Sequence, residues 1–66
     1  MIRVKVLETG SVFELEENEI KVRDLLRKLG LLESEHVVLK NNAIVTEDDV
    51  IVSGEEVVVF TVKSGG

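Results

Sequence analysis

The sequence predicts an α+β fold in which one helix packs across one face of a small mixed sheet. Apolar and charged residues alternate over residues 2–6, apolar residues recur at helical spacing over 22–29, and a valine-rich run covers 57–62. The chain has 66 residues, which is the size of one small domain. Hydrophobic residues make up 44% of it with only two Phe and no Trp or Tyr, and such an aliphatic, valine-rich core favours strands.

The first two segments predict a β-hairpin. Residues 2–6 place every second side chain on one face, and the turn sequence "ETGS" follows with Gly10. The next run, "VFEL", places Phe13 and Leu15 on one face and Val12 and Glu14 on the other. A strand, a tight turn and a second strand are therefore expected.

The middle of the chain predicts one amphipathic helix. Gly30 stands where a left-handed C-cap is expected, whereas Lys21, at the cap position before the helix, offers no side-chain acceptor. The apolar stripe of this helix consists of Val22, Leu25, Leu26 and Leu29.

The C-terminal half predicts a second hairpin and the longest strand. "VVLKNNAIV" (37–45) is two apolar runs joined by Asn41-Asn42, a pair that tolerates the positive φ of a tight turn. Polar segments at 46–49 and 53–56 separate this hairpin from the final strand. The predicted core consists of Val4, Val6, Val57, Val59 and the helix stripe.

The predicted element order is β-β-α-β-(β)-β, with the apolar first and last strands at the centre of the sheet. That order is typical of the β-grasp, or ubiquitin-like, architecture. We expect a domain over residues 1–62 and a flexible C-terminal tail over residues 63–66.

Composition and charge exclude several classes of function. The net charge is −5, which repels nucleic-acid backbones, and the aromatic residues that stack on bases are nearly absent. No apolar run approaches the roughly 20 residues that span a bilayer, so no membrane segment and a cytoplasmic location are expected. The chain has no cysteine and therefore no thiolate nucleophile.

No side-chain constellation predicts catalysis or metal binding. His36 is the only histidine, and we expect a solvated loop position for it rather than a metal ligand. The acidic runs at 16–19 and 47–49 lack the ligand spacing of a calcium loop, and solvated linkers are the expectation. We predict no metal and no cofactor bound by the chain itself, and no enzymatic activity of its own.

Two features remain as candidate sites. In the last strand Val58, Phe60 and Val62 share one parity, so they are predicted to form an apolar stripe facing away from the helix and binding a partner. Dimer packing, or cover by a loop, is the alternative for this stripe. The second feature is Gly65-Gly66, whose bare backbone could enter a narrow channel and present a carboxylate to another enzyme.

The whole chain resembles the ThiS/MoaD family of ubiquitin-like sulfur carriers, which includes the small archaeal modifier proteins. "VRDLLRKLGL" (22–31) is similar to the family pattern V-x-x-L-L-x-x-L-G-L, and 37–45 is similar to V-x-V-N-G-x-x-V. "SGEEVVVF" (53–60) is similar to the G-D-x-V approach to the last strand, and Gly65-Gly66 match the diglycine end. Asn42 and Glu55 depart from the family's glycine and aspartate.

The resemblance implies a concrete role for Gly66. An E1-like adenylating enzyme, using ATP and magnesium, would convert its carboxylate into an acyl-adenylate, and a persulfide sulfur donor would displace AMP to leave a thiocarboxylate. The sulfur would pass to the thiazole of thiamine through thiazole synthase, to molybdopterin through a molybdopterin synthase subunit, or to tRNA through a thiolase. In the modifier proteins, activation can end in a bond to target-protein lysines. The rival expectation is a noncovalent β-grasp interaction module with an incidental diglycine.

Overall fold

The computed structural model describes residues 1–62 of the chain. The predicted tail, residues 63–66, lies outside the described residues. A single 3-10 turn, Glu33–Glu35, precedes the fourth strand. The elements are β1 (Ile2–Val6), β2 (Ser11–Leu15), β3 (Glu19–Lys21), α1 (Val22–Leu29), β4 (His36–Lys40), β5 (Ala43–Val45), β6 (Val50–Val52) and β7 (Glu56–Thr61).

The main sheet has five strands in the order β2-β1-β7-β4-β5. β1 and β7 run parallel, and all other neighbours in this sheet are antiparallel. The first and last strands are therefore neighbours inside the sheet, as their apolar sequences predicted. The mixed sheet crossed by one helix confirms the predicted fold class.

The core lies between α1 and one face of the main sheet. The strands contribute alternate residues, so β1 shows the pattern buried–exposed–buried–exposed–buried. Every predicted core residue is buried except Leu29, which is partly buried against the cluster. The core also includes Ile2, Leu15, Val38 and Ile51.

Two short strands, β3 and β6, were not predicted. They form an antiparallel two-stranded sheet in which Ile20 pairs with Ile51, and Ile51 is fully buried. The prediction of a solvated link over 16–19 is therefore wrong at its end, where Glu19 begins β3.

The acidic loop before β6, residues 47–49, supplies hydrogen-bond acceptors to the first N–H groups of α1. Lys21 supplies no side-chain cap, as its sequence position predicted. Instead the Val22 N–H donates to the carbonyl of Asp49 (2.9 Å), and the Arg23 N–H donates to the carbonyl of Glu47 (3.0 Å). These bonds satisfy helix N–H groups that would otherwise lack partners. The segment 47–49 is a mostly exposed connection between β5 and β6 as predicted, and it has the further role of capping α1, which was not predicted.

The predicted turns adopt the backbone conformations that their residues favour. Gly30 ends α1 at φ 75°, in the left-handed region. Asn41 and Asn42 have φ values of 52° and 70° and join β4 to β5. The Asn41 side chain also accepts a hydrogen bond from the Glu56 N–H (3.0 Å), which ties this turn to the start of β7.

No helix within residues 1–62 is long and apolar enough to cross a membrane.

Candidate functional site: the open face and the end of strand β7

The last strand carries the residues that sequence analysis proposed for partner binding. Val57 and Val59 are buried in the core. Val58 and Phe60, which alternate with them, are half-buried on the opposite face of the sheet, and Val62 is 46% exposed. The structure thus places Val58 and Phe60 on the face without the helix, and Val62 lies just beyond the end of β7. Its role in partner binding stays a prediction.

Neighbouring strands extend this stripe into a broader surface. Lys5 lies opposite both Val12 and Val58, and Leu39 lies opposite both Val58 and Ile44. Because side chains that pair across strands share a face, one row crosses the whole sheet. We call this surface the open face, and it consists of Val12, Lys5, Val58, Leu39, Ile44, Val37 and Phe60.

The open face is largely apolar with Lys5 inside it, and the same side of the sheet carries Arg3 with Glu14 and Glu56 at one end. Ile44 is 73% exposed and Val12 is 52% exposed, while Lys5 lies between Val12 and Val58. Within residues 1–62, no carboxylate forms an ion pair with Lys5. The sequence pattern indicates only the residues of this face that lie in β7. The contributions of the other strands depend on strand register, which the sequence does not reveal.

The end of β7 is held from both sides. The Thr61 N–H donates to the carboxylate of Glu8 (2.5 Å), and the Val62 N–H donates to the carbonyl of Glu35 (2.8 Å). The bond from Thr61 lowers the pKa of Glu8, because accepting an N–H stabilises the charged carboxylate. The chain is therefore fixed in place at the point where residues 63–66 follow.

His36 is not the solvated loop residue that we predicted. It is the first residue of β4, it is half-buried, and it pairs with Thr61 of β7. Its Nδ1–H donates to the Leu32 carbonyl (2.8 Å), since a carbonyl oxygen can only accept. Within residues 1–62 no group of three or more side chains could hold a metal ion.

A second charged cluster surrounds Arg23 near the start of α1. The guanidinium lies 3.0 Å from Asp48, 3.4 Å from Glu47 and 3.9 Å from Glu33. The Asp48 charge is the main cause of a raised Arg23 pKa. The pKa of Glu33 is raised as well, chiefly by its hydrogen bond to the Glu47 carboxylate, and the nearby Arg23 does not offset this effect. Three carboxylates therefore surround Arg23, and Arg27 is a further cation that acts on Glu33.

A single helix across a mixed sheet with a parallel central pair defines a ubiquitin-like β-grasp protein. The fold is similar to that of the thiamine biosynthesis protein (ThiS) from Geobacter metallireducens, with a TM-score of 0.68 and 17% sequence identity. The match covers 98% of this chain and 100% of that one. At this identity the likeness shows the shared fold.

The profile of the ThiS family matches residues 4–66, and the chain belongs to that family. The resemblance inferred from the sequence is thereby confirmed. Family membership supports the role of a small sulfur carrier.

Proposed function

We propose that this protein carries sulfur as a thiocarboxylate on Gly66, after an E1-like enzyme has adenylated the glycine carboxylate. The observation that supports this proposal is the match of the ThiS family through residue 66. The strand that leads to this end of the chain, β7, is held in place at its own end by hydrogen bonds. A fixed strand end limits the region that the last four residues can reach. Residues 65 and 66 are both glycine, so no side chain limits access of an enzyme to the terminal carbonyl.

Sulfur can replace an oxygen of the Gly66 carboxylate only after that oxygen has been converted into a good leaving group. The carboxylate oxygen attacks the α-phosphorus of ATP, pyrophosphate leaves, and an acyl-adenylate forms on the activating enzyme with its Mg²⁺. A persulfide then attacks the carbonyl carbon and AMP leaves with its electron pair. Cleavage of the resulting sulfur–sulfur bond by a second thiol leaves the thiocarboxylate. No side chain of the carrier takes part in these steps, so its contribution is reach and position.

We assign the open face to docking on the adenylating enzyme. A mostly apolar surface with few charges is typical of a protein interface, and aromatic residues often dominate the binding energy. Phe60 is the only aromatic residue of the open face. Lys5 adds a charge that a partner carboxylate can complement.

Phe60→Ala tests this docking surface. We expect its affinity for the cognate adenylating enzyme to fall at least about tenfold, the equivalent of about 1.4 kcal/mol. Phe13→Ala is the control, since Phe13 pairs with the core residue Val4 and so lies on the other face of the sheet. Isothermal titration calorimetry measures both variants. An equal loss of affinity in the two variants would show that the open face is not the docking surface.

Pyrophosphate release tests the activation step separately. The wild-type chain, added to its adenylating enzyme with ATP and Mg²⁺, should release pyrophosphate, and a chain lacking Gly66 should not. The matched variant is Ser64→Ala, which changes the same segment without shortening it and should retain activity. Release by the chain without Gly66 would favour the rival role of a noncovalent interaction module.

The recipient of the sulfur follows from the family rather than from the site. Membership of the ThiS family favours delivery to the thiazole of thiamine through thiazole synthase. Molybdopterin, tRNA and target-protein lysines are the other acceptors that this chemistry allows. Transfer from the thiocarboxylate form to each acceptor enzyme in vitro distinguishes them.

A further inference from the structure

The outer edge of β2 presents unpaired backbone groups. β2 is the last strand of its sheet and pairs only with β1 among the described strands. The Leu7 N–H donates to the Val59 carbonyl, so the backbone of residue 7 faces β7. Because successive residues of a strand point their N–H and C=O groups to opposite sides, the groups of the odd-numbered residues of β1 face β7 and those of the even-numbered residues face β2. The partners of those even-numbered residues in β2 are Ser11, Phe13 and Leu15. The N–H and C=O groups of Val12 and Glu14 therefore point outwards.

This edge has few of the features that usually protect edge strands. Protected edges are short or contain charged residues (lysine above all), proline or a bulge. The one charged residue of β2 is Glu14, and its charge is paired with Arg3. β2 has five residues, "SVFEL", with neither lysine nor proline, whereas β3, β5 and β6 have three residues each. Val12 is 52% exposed on the open face and Phe13 is 40% exposed on the other. An added strand would therefore find apolar contacts on both faces.

The C-terminal end of this edge is strongly acidic. Four glutamates occur between residues 14 and 19. Glu14 pairs with Arg3 and Glu17 pairs with Lys28. Glu16 and Glu19 form no ion pair within residues 1–62. A partner segment beside β2 would gain most from basic residues at this end, where the glutamates are concentrated.

We propose that the edge of β2 binds an extended peptide segment of a partner protein, with alternating apolar residues and adjoining basic residues, as a sixth strand of the main sheet. Backbone hydrogen bonds to Val12 and Glu14 give affinity, and the apolar and basic side chains give specificity. This surface is separate from Gly66, and the proposal does not rest on the sulfur-carrier function.

The position of the acidic end fixes the order of the peptide's residues. Antiparallel pairing is the slightly more stable arrangement. An antiparallel peptide begins where β2 ends, so its basic residues precede its apolar ones. A second copy of this chain fits poorly, because β2 itself has no basic residue and two chains of net charge −5 repel each other.

Two synthetic peptides of the same composition test the proposal. One has two lysines before a Val-Thr-Val-Thr-Val run, and the other has the lysines after it. In titrations of the full chain followed by amide NMR, the lysine-first peptide should bind at least about tenfold more tightly. Methylation of the peptide nitrogens that face β2 should abolish binding, and methylation of the alternate nitrogens should not.

Variants of the protein locate the binding edge. Val12→Lys should lower the affinity at least about tenfold, since an edge lysine opposes strand addition and repels the basic peptide. Ile44→Lys, on the three-residue edge strand β5, is the matched control and should bind like the parent. Both residues are exposed, and thermal melts confirm that each variant is folded.

Four results would overturn the proposal. The first is an absence of binding by either peptide at millimolar concentration, and the second is binding that ignores nitrogen methylation. The third is a loss of peptide affinity in Ile44→Lys equal to that in Val12→Lys, which would place the peptide on the open face. The fourth is dimerisation of the chain alone that Val12→Lys abolishes, which makes a second copy the occupant.

Discussion

Truncation of Leu26 to alanine tests the packing of α1 on the sheet. Leu26 is 2% exposed and belongs to the core cluster. Leu→Ala substitutions at such positions cost about 2–5 kcal/mol, because transfer energy is lost and a cavity remains. At roughly 0.05–0.15 kcal/mol per residue, a domain of this size has a total stability of about 3–10 kcal/mol. One truncation is thus expected to remove about half of the stability.

Thermal unfolding followed by circular dichroism measures this loss. In a domain of 60–100 residues each 1 kcal/mol lowers the Tm by about 4–8 °C, so Leu26→Ala should melt roughly 8–40 °C below the parent. Leu32→Ala is the matched control, since Leu32 is 61% exposed, and it should melt within a few degrees of the parent. A Leu26→Ala variant that melts with its control would show that α1 presents a different face to the sheet.

The remaining predictions concern two carboxylates whose pKa values move in opposite directions. The pKa of Glu8 is lowered, so its stabilisation is present at neutral pH and is lost as the pH falls through that pKa. Glu8→Gln should therefore lower the Tm at pH 7, and this deficit should disappear as the pH falls through the lowered pKa. The pKa of Glu33 is raised, so its ionised form opposes folding. Glu33→Gln should raise the Tm at pH 7, and the gain should vanish below the ordinary pKa of a glutamate. For either variant, a difference in Tm from the parent that stays constant with pH would contradict the direction assigned to the pKa of that carboxylate.

The elements that the sequence predicts well are those whose signal is local. β1 alternates over five residues, the stripe of α1 repeats over two turns, and Gly30 and Asn41-Asn42 are residue types that tolerate positive φ. Each of these signals depends on neighbours a few positions away. The prediction needs no knowledge of how the chain folds back on itself.

The features that were missed depend on contacts between distant segments. β3 and β6 have three residues each, too few for an alternating pattern, and they are defined by pairing with each other. The start of α1 is completed by carbonyl groups more than 20 positions away, so the sequence does not reveal that the loop at 47–49 caps the helix. His36 was expected in solvent for the same reason, because its partner in the sheet, Thr61 of β7, lies 25 positions away in the sequence.

The candidate site also has a part that the local sequence pattern predicts and a part that depends on distant contacts. The parity of Val58 and Phe60 could be predicted from the strand pattern alone. The rest of the open face, and the carboxylate of Glu8 beside Thr61, could not be predicted, because they depend on register and on a contact 53 positions apart in the sequence. The sequence pattern therefore indicates one strand of the open face, and the strand register of the structure adds the residues of the neighbouring strands.

The intact mass of the protein tests the central claim most directly. The chain is incubated with ATP, Mg²⁺, its cognate adenylating enzyme and a persulfide donor, and is then measured by mass spectrometry beside a variant lacking Gly66. We predict that the wild-type chain gains the mass difference between sulfur and oxygen, that fragmentation places the gain on Gly66, and that the variant gains nothing. An unchanged wild-type mass under conditions that activate a known ThiS protein, or an equal gain by the variant, would contradict the proposed function.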